Sequence, residues 1–380
     1  MFTKQLTNHN SSLGHPISIE GTKSSAIPQK SVKRASIFGA MAFAGALGLG
    51  SGSAFAEQVW DDFSNGFNVQ GADESGADNA KWTYFGAGPF VGNAGVESVS
   101  DGVLNVITEP TMTLTMAQEG SEENTAGMPG GFDHVKWLTY TNSVSSSGLP
   151  GFDAKDGEVL FCEGVLASRS FGTENHPFGD AVINHNDDLR LAAAALNTID
   201  LESWMVFDFF ITNETIYAFY ERLPYGRDKL GNYAAFTFMV PVAERTPEDK
   251  HRLRISYDRA AGTVNWFVEG EEVFKVDRVG FLLDREHMAI DHGGDEPSEP
   301  IVMNQFNCGM GIFTLLDASL PSGKPLVRIS NAPDFYFDPA KGQPHAATFV
   351  DEESAAGSRL FGQGVELKVY EYSAGATPAQ

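Results

Sequence analysis

One stretch, residues 204–227 (WMVFDFFITNETIYAFYERLPYGR), constrains the fold more than any other part of the chain. It predicts two β-strands joined at a turn of Thr212, Asn213 and Glu214, because apolar side chains recur on both sides of that turn. Both faces of both strands are mostly apolar, which is typical of strands in the middle of a layered structure. A carboxylate there costs several kcal/mol unless it is paired or hydrogen-bonded. The charged residues of this stretch therefore belong either to a functional site or to a satisfied structural network.

The alternation of side chains assigns the polar residues of this hairpin to faces. Asp208 lies on one face of the first strand. In the second strand Tyr217 and Glu221 share one face, and Tyr220 and Arg222 share the opposite one. Pairing of the two strands brings Asp208 opposite Glu221 or a residue close to it. These two carboxyl groups are therefore candidates for acid–base chemistry or ligand binding.

Many short strands and little helix are predicted along the rest of the chain. Strand-like segments separated by Gly, Asn, Asp and Pro cover residues 95–108, 111–118, 136–141, 158–169, 204–211, 215–222, 234–242, 251–257, 263–269, 272–276, 326–330 and 364–372. Only residues 188–197 (DLRLAAAALN) predict a helix, with Asp187 or Asp188 as its N-cap. The pattern predicts an all-β fold of antiparallel sheets, a sandwich or barrel with one short helix.

The first 56 residues have the features of a signal peptide. Lys33 and Arg34 precede an apolar run of about a dozen residues, which is shorter than the roughly 20 residues needed to span a bilayer. Ala54-Phe55-Ala56 fits the rule for signal-peptidase cleavage. An uncleaved N-terminal anchor is the alternative. We therefore predict a secreted or periplasmic protein, with one domain at residues 57–372 and a flexible tail at residues 373–380.

The composition is strongly acidic, with 26 Lys and Arg residues against 50 Asp and Glu and a formal net charge of −24. Such a surface repels nucleic acids and anionic lipids, and it disfavours a polyanionic substrate unless the site is locally basic. After the leader, no apolar run is long enough for a membrane span. The sequence thus excludes nucleic acid as a partner and predicts no membrane span after leader removal.

The chain has two cysteines, Cys162 and Cys308. If they pair in an oxidising compartment, they close a loop worth about 4–5 kcal/mol in the chain-entropy model. Cys162 lies in an apolar strand, so a buried free thiol is an equal alternative. Neither cysteine lies in a CxxC or zinc-binding pattern.

Segments at the start, middle and end of the chain resemble a known superfamily. They are DDF at residues 61–63, KWTY at 81–84, SDGVLNV at 100–106, HRLRISYDRAAGTVNWFVEGEEVFKV at 251–276 and GVELKVYEY at 364–372, which looks like a last strand returning beside the first. This order resembles the concanavalin A-like jelly roll of laminarinase-type glycoside hydrolases and laminin-G-type lectins. The region around YERLPYGR is also similar to an uncharacterised bacterial and fungal family, which implies no activity.

The jelly-roll resemblance implies two curved, stacked sheets with a long aromatic-lined groove on the concave face. Laminarinase-type enzymes carry two catalytic Glu residues in a Glu-x-Asp-x-x-Glu arrangement, with carboxyl groups about 5–5.5 Å apart. This sequence lacks that motif. The catalytic candidates here are instead Asp208, Glu221 and Glu163, the last in another apolar strand.

Tyrosine and arginine side chains form a second candidate set. Tyr217, Tyr220, Arg222, Arg227 and Arg169 are predicted to bind the substrate, because phenol and guanidinium groups bond sugar hydroxyls and carboxylates. The alternative is that the three arginines neutralise the buried carboxylates in ion pairs that set the strand register.

Two acidic segments contain residue types that ligate metals. They comprise His176, Asp180, His185, Asp187 and Asp188 in the first, and Asp284, Glu286, His287, Asp291, His292, Asp295 and Glu296 in the second. Helix capping and a turn explain the first segment, and a solvated loop explains the second, so no metal site is assigned. The jelly-roll resemblance leaves a structural calcium ion open, and no other cofactor is expected.

Together these features predict an exported carbohydrate-active enzyme, a glycoside hydrolase or polysaccharide lyase that acts on a carbohydrate or other small-molecule ligand in the concave groove. Two alternatives remain open: a non-catalytic glycan-binding or adhesion module, and an enzyme on a small non-sugar metabolite that uses the same polar cluster. An open groove with exposed Trp and Tyr would favour the carbohydrate functions. A closed pocket around residues 220–227 would favour the small-metabolite enzyme.

Overall fold

The computed structural model describes residues 59–71, 79–87, 90–108, 135–320, 323–328, 330, 332–359 and 361–379, all within one compact unit. The predicted signal peptide and the predicted strand at residues 111–118 lie outside these residues.

The described residues form twenty strands. In chain order they are β1 (Val59–Asp61), β2 (Val69–Gln70), β3 (Trp82–Tyr84), β4 (Gly86–Ala87), β5 (Phe90–Val91), β6 (Val96–Ser100), β7 (Val103–Ile107), β8 (Val135–Thr141), β9 (Phe152–Asp153), β10 (Glu158–Phe171), β11 (Ala193–Asp200), β12 (Met205–Ile211), β13 (Thr215–Arg222), β14 (Phe236–Glu244), β15 (His251–Asp258), β16 (Thr263–Val268), β17 (Glu271–Val276), β18 (Met288–Asp291), β19 (Gln305–Phe313) and β20 (Gly364–Pro378).

Two large sheets contain nearly all of these strands. Sheet 1 has the order β17-β16-β15-β10-β20-β7-β6, and β1 also pairs with β20. Sheet 2 has the order β18-β14-β13-β12-β11-β19-β8-β3-β2, and β9 also pairs with β19. All pairs are antiparallel except β2 with β3, and the last strand lies beside the first, as predicted. The predicted fold class, an all-β jelly-roll sandwich, is confirmed.

Helical structure in the described part of the chain is limited to short turns. They are α1 (Arg227–Leu230), α2 (Ala356–Arg359) and 3₁₀ turns at Thr173–Asn175, Gly179–Ala181, Pro224–Gly226 and Arg285–His287. Within the described ranges, no helix has the length and apolar character required to cross a bilayer.

The predicted helix at residues 188–197 is wrong. Residues 189–191 form a turn and the following residues form β11, which pairs with β12 on one side and β19 on the other. Ala194 and Leu196 face one apolar cluster, and Ala193 and Ala195 face another. Burial of both faces therefore outweighs the helix propensity of an alanine-rich segment.

Three further predictions are corrected in detail. Residues 373–378, predicted to fray, extend β20 and pair with β10 up to Glu158 opposite Pro378. The segment 95–108 is a hairpin of two strands, β6 and β7. The segment 326–330 contributes an isolated bridge at Val327 in place of a strand.

The main core lies between the two sheets. It includes the fully buried Trp82, Trp137 and Trp266 together with apolar residues from strands of both sheets. Cys162 of β10 and Cys308 of β19 form a disulfide across this core, with their Cα atoms 5.5 Å apart. The disulfide therefore links the two sheets, and the free-thiol alternative is wrong.

A second apolar cluster covers the outer face of sheet 2, which is the face turned away from sheet 1. The covering side chains come from two places: Phe178, Val182, Leu189 and Leu191, and the irregular segment 315–349, which includes Leu315, Leu316, Leu326, Val327, Tyr336 and Phe349. We call the described residues of this range, 315–320, 323–328, 330 and 332–349, the covering segment. Residues of this segment, among them Leu315, Asp317 and Tyr336, also line a small cavity on this face of sheet 2.

Candidate active site

Strand register brings Asp208 and Glu221 onto the outer face of sheet 2. Val206 pairs with Glu221 and Asp208 pairs with Phe219 between β12 and β13. The two acidic residues are therefore diagonal neighbours, whose backbones are about 7–8 Å apart in such sheets. Phe207, on the opposite side of β12, packs into the core between the sheets. The predicted alternation and the predicted closeness of the two carboxyl groups are both observed.

Asp208 is held by hydrogen bonds from the neighbouring strand β11. Asp208 is only 4% exposed. Asn197 Nδ2 donates to Oδ2 at 2.8 Å, and the Thr198 backbone N–H donates to Oδ1 at 2.7 Å. Burial raises the pKa of Asp208 well above its ordinary value, although these two hydrogen bonds act in the opposite direction, and nearby Glu221 raises it further.

Glu221 titrates near neutrality. Burial raises the pKa of its carboxyl group from 4.5 to about 7, the hydrogen bond from Thr237 lowers it, and the charge of Asp317 raises it. The Thr237 hydroxyl donates to Oε1 at 2.6 Å. A carboxyl group that is partly protonated at neutral pH is suited to donate and accept protons in catalysis.

Both residues line a cavity of about 70 Å³ under the covering segment. Its polar lining consists of Asp208, Glu221, Tyr225, His292, Asp317 and Tyr336, and its other lining residues are apolar. We call it the carboxyl cavity. Its volume suits several water molecules or one end of a ligand, since a water needs about 10–15 Å³.

Asp317 brings a third carboxyl group to the carboxyl cavity. Tyr336 donates its hydroxyl to Oδ2 at 2.7 Å. Oδ1 is buried and has no hydrogen-bond partner among the described groups. A buried acceptor without a partner is costly, so Oδ1 is a position where a ligand or water donor would bind.

His292 supplies a neutral imidazole. Its Nδ1 lies 2.6 Å from the carbonyl oxygen of Phe335. Because a carbonyl oxygen only accepts, Nδ1 carries the proton, and the lone pair of the neutral ring is on Nε2. Burial lowers the pKa of His292, which keeps the ring neutral.

Tyr225 is a hydroxyl donor in the same cavity. Burial raises its pKa, and the nearby Asp317 and Glu221 raise it further. The phenol therefore stays protonated and can donate a hydrogen bond to a bound oxygen atom.

Glu163 does not join this cluster. It lies on β10 of sheet 1, on the side opposite the core residue Cys162. Its carboxylate forms ion pairs with Arg252 and with Arg254, the latter at 3.5 Å. Arg169 is exposed near the other end of β10, opposite Glu366 of β20.

The predicted substrate-binding residues of the hairpin have structural contacts instead. The Tyr220 hydroxyl accepts from Gly280 N–H and donates to Phe281 O, inside the core. Tyr217 bonds Asp187, away from the cavity lining. The remaining two residues are arginines.

Arg222 and Arg227 contact backbone and aromatic groups. Arg222 donates to Ser203 O and stacks on the Tyr233 ring at 3.8 Å. Arg227 donates to the carbonyl oxygens of Tyr233 and His292, so it positions the loop that carries His292. Among the ion pairs of the described residues, none includes Asp208 or Glu221. The alternative in which these arginines neutralise the two carboxylates is therefore wrong.

The two acidic segments are dispersed. Asp188 pairs with Arg190 at 2.6 Å, and Asp187 accepts hydrogen bonds from Thr212 and Thr215. In the second segment, Asp291 pairs with Arg285 at 2.8 Å. Within the ranges that the structure describes, no group of three or more His, Cys, Asp or Glu side chains is arranged to hold a metal ion.

Sequence reasoning missed Asp317, Tyr336 and the role of His292. Asp317 had a detectable signal, because it is an isolated carboxylate after the apolar run FTLL, like Asp208 in its strand. Tyr336 and His292 had none, since only the folding of the covering segment and of the loop after β18 brings them to the cavity.

Comparisons with known proteins give relatives of unknown function and distant structural neighbours. The chain is 31% identical over 279 residues to the uncharacterized protein L829 of Acanthamoeba polyphaga mimivirus, a match that spans 59% of this chain and 61% of that protein. β-Agarase B from Zobellia galactanivorans matches at 10% identity with a TM-score of 0.38, covering 81% of this chain and 89% of that one. Porphyranase B from the same organism matches at 11% identity with a TM-score of 0.38, covering 83% and 89%. No activity is inferred from such low scores.

A family model spans nearly all of the described residues. The chain belongs to this family of unknown function (DUF6081), whose model matches residues 60–377.

Proposed function

We propose that the protein is an exported acid–base enzyme, of the hydrolase or lyase type, whose reaction takes place in the carboxyl cavity. One observation carries the proposal: three carboxyl groups and a neutral imidazole share a cavity whose lining contains no Lys or Arg. Uncompensated carboxyl groups at one buried place destabilise a fold, and such clusters are typical of catalytic sites. The disulfide supports export, since disulfides persist in oxidising compartments.

The groups have separable roles in a hydrolysis. Protonated Glu221 donates its proton to the leaving oxygen as the bond to that oxygen breaks. Asp208 in its ionised form, which the hydrogen bonds from Asn197 and Thr198 favour against the effect of burial, accepts a proton from the attacking water as the new bond forms. Tyr225 and Tyr336 bond oxygen atoms of the substrate. Proton exchange through cavity water then returns both carboxyl groups to their starting states.

For a lyase, the same groups act on a different proton. Asp208 or His292 Nε2 removes a carbon-bound proton from the substrate, and Glu221 protonates the departing oxygen. The double bond forms between the two carbons, so no water is consumed.

The substrate class proposed first is carbohydrate. Carboxyl groups and tyrosine hydroxyls bond sugar hydroxyls, and the phenylalanine rings of the cavity wall can pack against sugar C–H groups. The small cavity volume favours one end of a saccharide over an internal segment of a long chain. The same small volume supports the second candidate, an enzyme on a small non-sugar metabolite.

The test uses the purified protein and a panel of oligo- and polysaccharides, followed by small glycosides and esters. New reducing ends alone indicate hydrolysis, and ultraviolet absorbance of an unsaturated product indicates elimination. We expect Glu221→Gln and Asp208→Asn each to lower kcat by about 10²–10⁴-fold without lowering the melting temperature.

Glu163→Gln is the matched control, because Glu163 is a buried carboxylate on the other sheet. It should retain the wild-type kcat. Full activity in Glu221→Gln and Asp208→Asn would refute the proposed site, and silence on every substrate would favour the binding-module alternative.

A further inference from the structure

A second cavity lies farther along the outer face of sheet 2. Its volume is about 250 Å³, and its lining includes Tyr84, Tyr140, Leu201 and Asn307. We call it the tyrosine pocket. It contains no charged side chain in its lining, in a chain with a formal net charge of −24.

Strand register connects the tyrosine pocket to Asp208. Tyr140 of β8 pairs with Gly309 of β19, and Gly309 pairs with Asn197 of β11. Asn197 donates to Asp208 of β12. These residues therefore form one row across four neighbouring strands, with Asp208 at one end and Tyr140 at the other.

Gly309 allows the Tyr140 ring to lie along this row. A Cβ atom at Gly309 would be 2.6 Å from Cδ1 and 2.9 Å from Cε1 of Tyr140. The ring thus covers the glycine in the middle of this row. Burial raises the pKa of Tyr140, as do the charges of Asp208 and Glu221, which is consistent with a phenol close to both carboxyl groups.

Asn197, in the same row, has an unused acceptor. The residue is only 3% exposed, and its Oδ1 has no hydrogen-bond partner among the described groups. At the pocket, Asn307 Oδ1 accepts from Thr141 and from the Cys308 N–H, so the Asn307 Nδ2 group is its remaining donor.

We propose that the tyrosine pocket binds a neutral, hydroxyl-bearing ring of the same substrate whose reacting end enters the carboxyl cavity. This inference rests on the proposed function and narrows it. The three carboxyl groups of the carboxyl cavity would repel the negative charge of a uronate ring. The tyrosine pocket has no positive charge in its lining to stabilise that ring. The substrate is therefore a neutral saccharide end, and the reaction is hydrolysis, because β-elimination requires a sugar that carries a carboxylate.

The test compares binding of two matched pairs of probes to the full-length protein at neutral pH. The pairs are phenyl glucoside with phenyl glucuronide, and phenyl galactoside with phenyl galacturonide. Binding is followed by calorimetry and by saturation-transfer NMR. At least one neutral probe should bind about tenfold or more tightly than its uronide.

Two Leu→Trp variants locate the binding. Leu201→Trp fills the tyrosine pocket and should weaken binding of the neutral probe by about tenfold or more. Leu320→Trp makes the same change at a separate surface depression beside Arg285, and it should leave binding within about twofold. Uronide binding equal to or tighter than neutral binding, no binding of any probe, or unchanged affinity in Leu201→Trp would overturn the inference.

Failure of this inference and failure of the proposed function give different results. If Glu221→Gln binds the neutral probe normally while neither it nor the wild type turns over any substrate, the pocket stands and the enzyme proposal fails. If the wild type forms unsaturated products from uronides and depends on Glu221, the enzyme proposal stands and the neutral-ring inference fails.

Discussion

At the scale of single residues, burial of three carboxyl groups in the carboxyl cavity lowers the free energy of unfolding. No neighbouring Arg or Lys in the cavity lining offsets this loss. Asp208, Glu221 and Asp317 lie among apolar side chains, and no arginine or lysine lines their cavity. Burial raises the pKa of Asp208 and of Glu221, which favours their protonated forms. The free energy of unfolding therefore depends on pH through this site. This dependence can be measured without knowing the substrate.

Glu221→Gln should remove part of that pH dependence. The pKa of Glu221 rises from 4.5 to about 7 on folding, so between these values the native state holds a proton that the unfolded state has lost. The contribution to stability is fully present below the lower value, decreases as the pH rises through about 7, and is then absent. Relative to wild type, Glu221→Gln should become more stable by up to about 3 kcal/mol between mildly acidic and mildly alkaline pH. Urea unfolding at both pH values measures this difference, and a pH-independent difference would refute the elevated pKa.

Glu163→Gln should have the opposite sign. Glu163 is only 5% exposed and is paired with Arg252 and Arg254, so loss of its charge leaves both arginines without that partner. Because the Arg252 side chain is 43% exposed, water screens the pair, and we expect a loss of about 1 kcal/mol in the free energy of unfolding at neutral pH. The same urea titration provides the measurement. A stabilising effect would mean that desolvation of Glu163 outweighs its ion pairs.

Asp208 and Glu221 could be named from the sequence as candidate site residues, because each is an isolated charge in an apolar alternation. It placed Tyr220 and Arg222 correctly on the face opposite Glu221, but it attributed binding to both of them. Alternation separates two faces without showing which one meets the second sheet. For Tyr220 that face is the core between the sheets, where substrate has no access.

At the scale of elements, most strands were predictable from the sequence, but the strand that begins in the alanine-rich residues 188–197 was not. The hairpin β12–β13 carries its own alternation, so its existence and register follow from local sequence. Residues 188–197 have a strong local preference for helix, yet β12 and β19 on either side require a strand between them. Only long-range pairing supplies that information, which a reading of the local pattern lacks.

The disulfide should be a major support of the sandwich. It joins β10 of sheet 1 to β19 of sheet 2 across a sequence separation of 146 residues. In the chain-entropy model a loop of this length contributes about 5 kcal/mol, and native disulfides typically contribute about 2–5 kcal/mol. We therefore expect the double variant Cys162→Ala and Cys308→Ala to lower the free energy of unfolding by about 2–5 kcal/mol. Guanidinium unfolding of the oxidised wild type and the variant gives the comparison; equal midpoints would show that the cross-link adds no stability.

At the scale of the whole molecule, the covering segment determines the kind of site that the fold presents. The jelly-roll resemblance implies a long aromatic-lined groove on the concave face of a sheet, whereas the outer face of sheet 2 is covered here. The covering segment places Leu316, Leu326 and Val327 in full burial over this face. Its residues lack a regular period, so their destination was not predictable from sequence. It also contributes Leu315, Asp317, Phe335 and Tyr336 to the lining of the carboxyl cavity, and the small volume of that cavity supports the proposal of short or terminal ligands.

The net charge of the chain sets a further property of the molecule. A formal charge of −24 produces repulsion that opposes the compact state, and salt weakens this repulsion by shortening the Debye length from about 30 Å at 0.01 M to about 8 Å at 0.15 M. We expect the melting temperature to rise by about 2–4 °C over this range, equivalent to about 1 kcal/mol.

Calorimetric scans in sodium chloride measure this effect, and a lower melting temperature at high salt would show that surface ion pairs outweigh the repulsion. Calcium chloride and magnesium chloride at matched ionic strength separate screening from specific binding. Among the described residues no group of three or more His, Cys, Asp or Glu side chains is arranged to hold a metal ion, so both salts should give the same rise. A distinctly larger rise with calcium would instead indicate a calcium site, because magnesium screens charge equally but requires a smaller, more rigid coordination geometry.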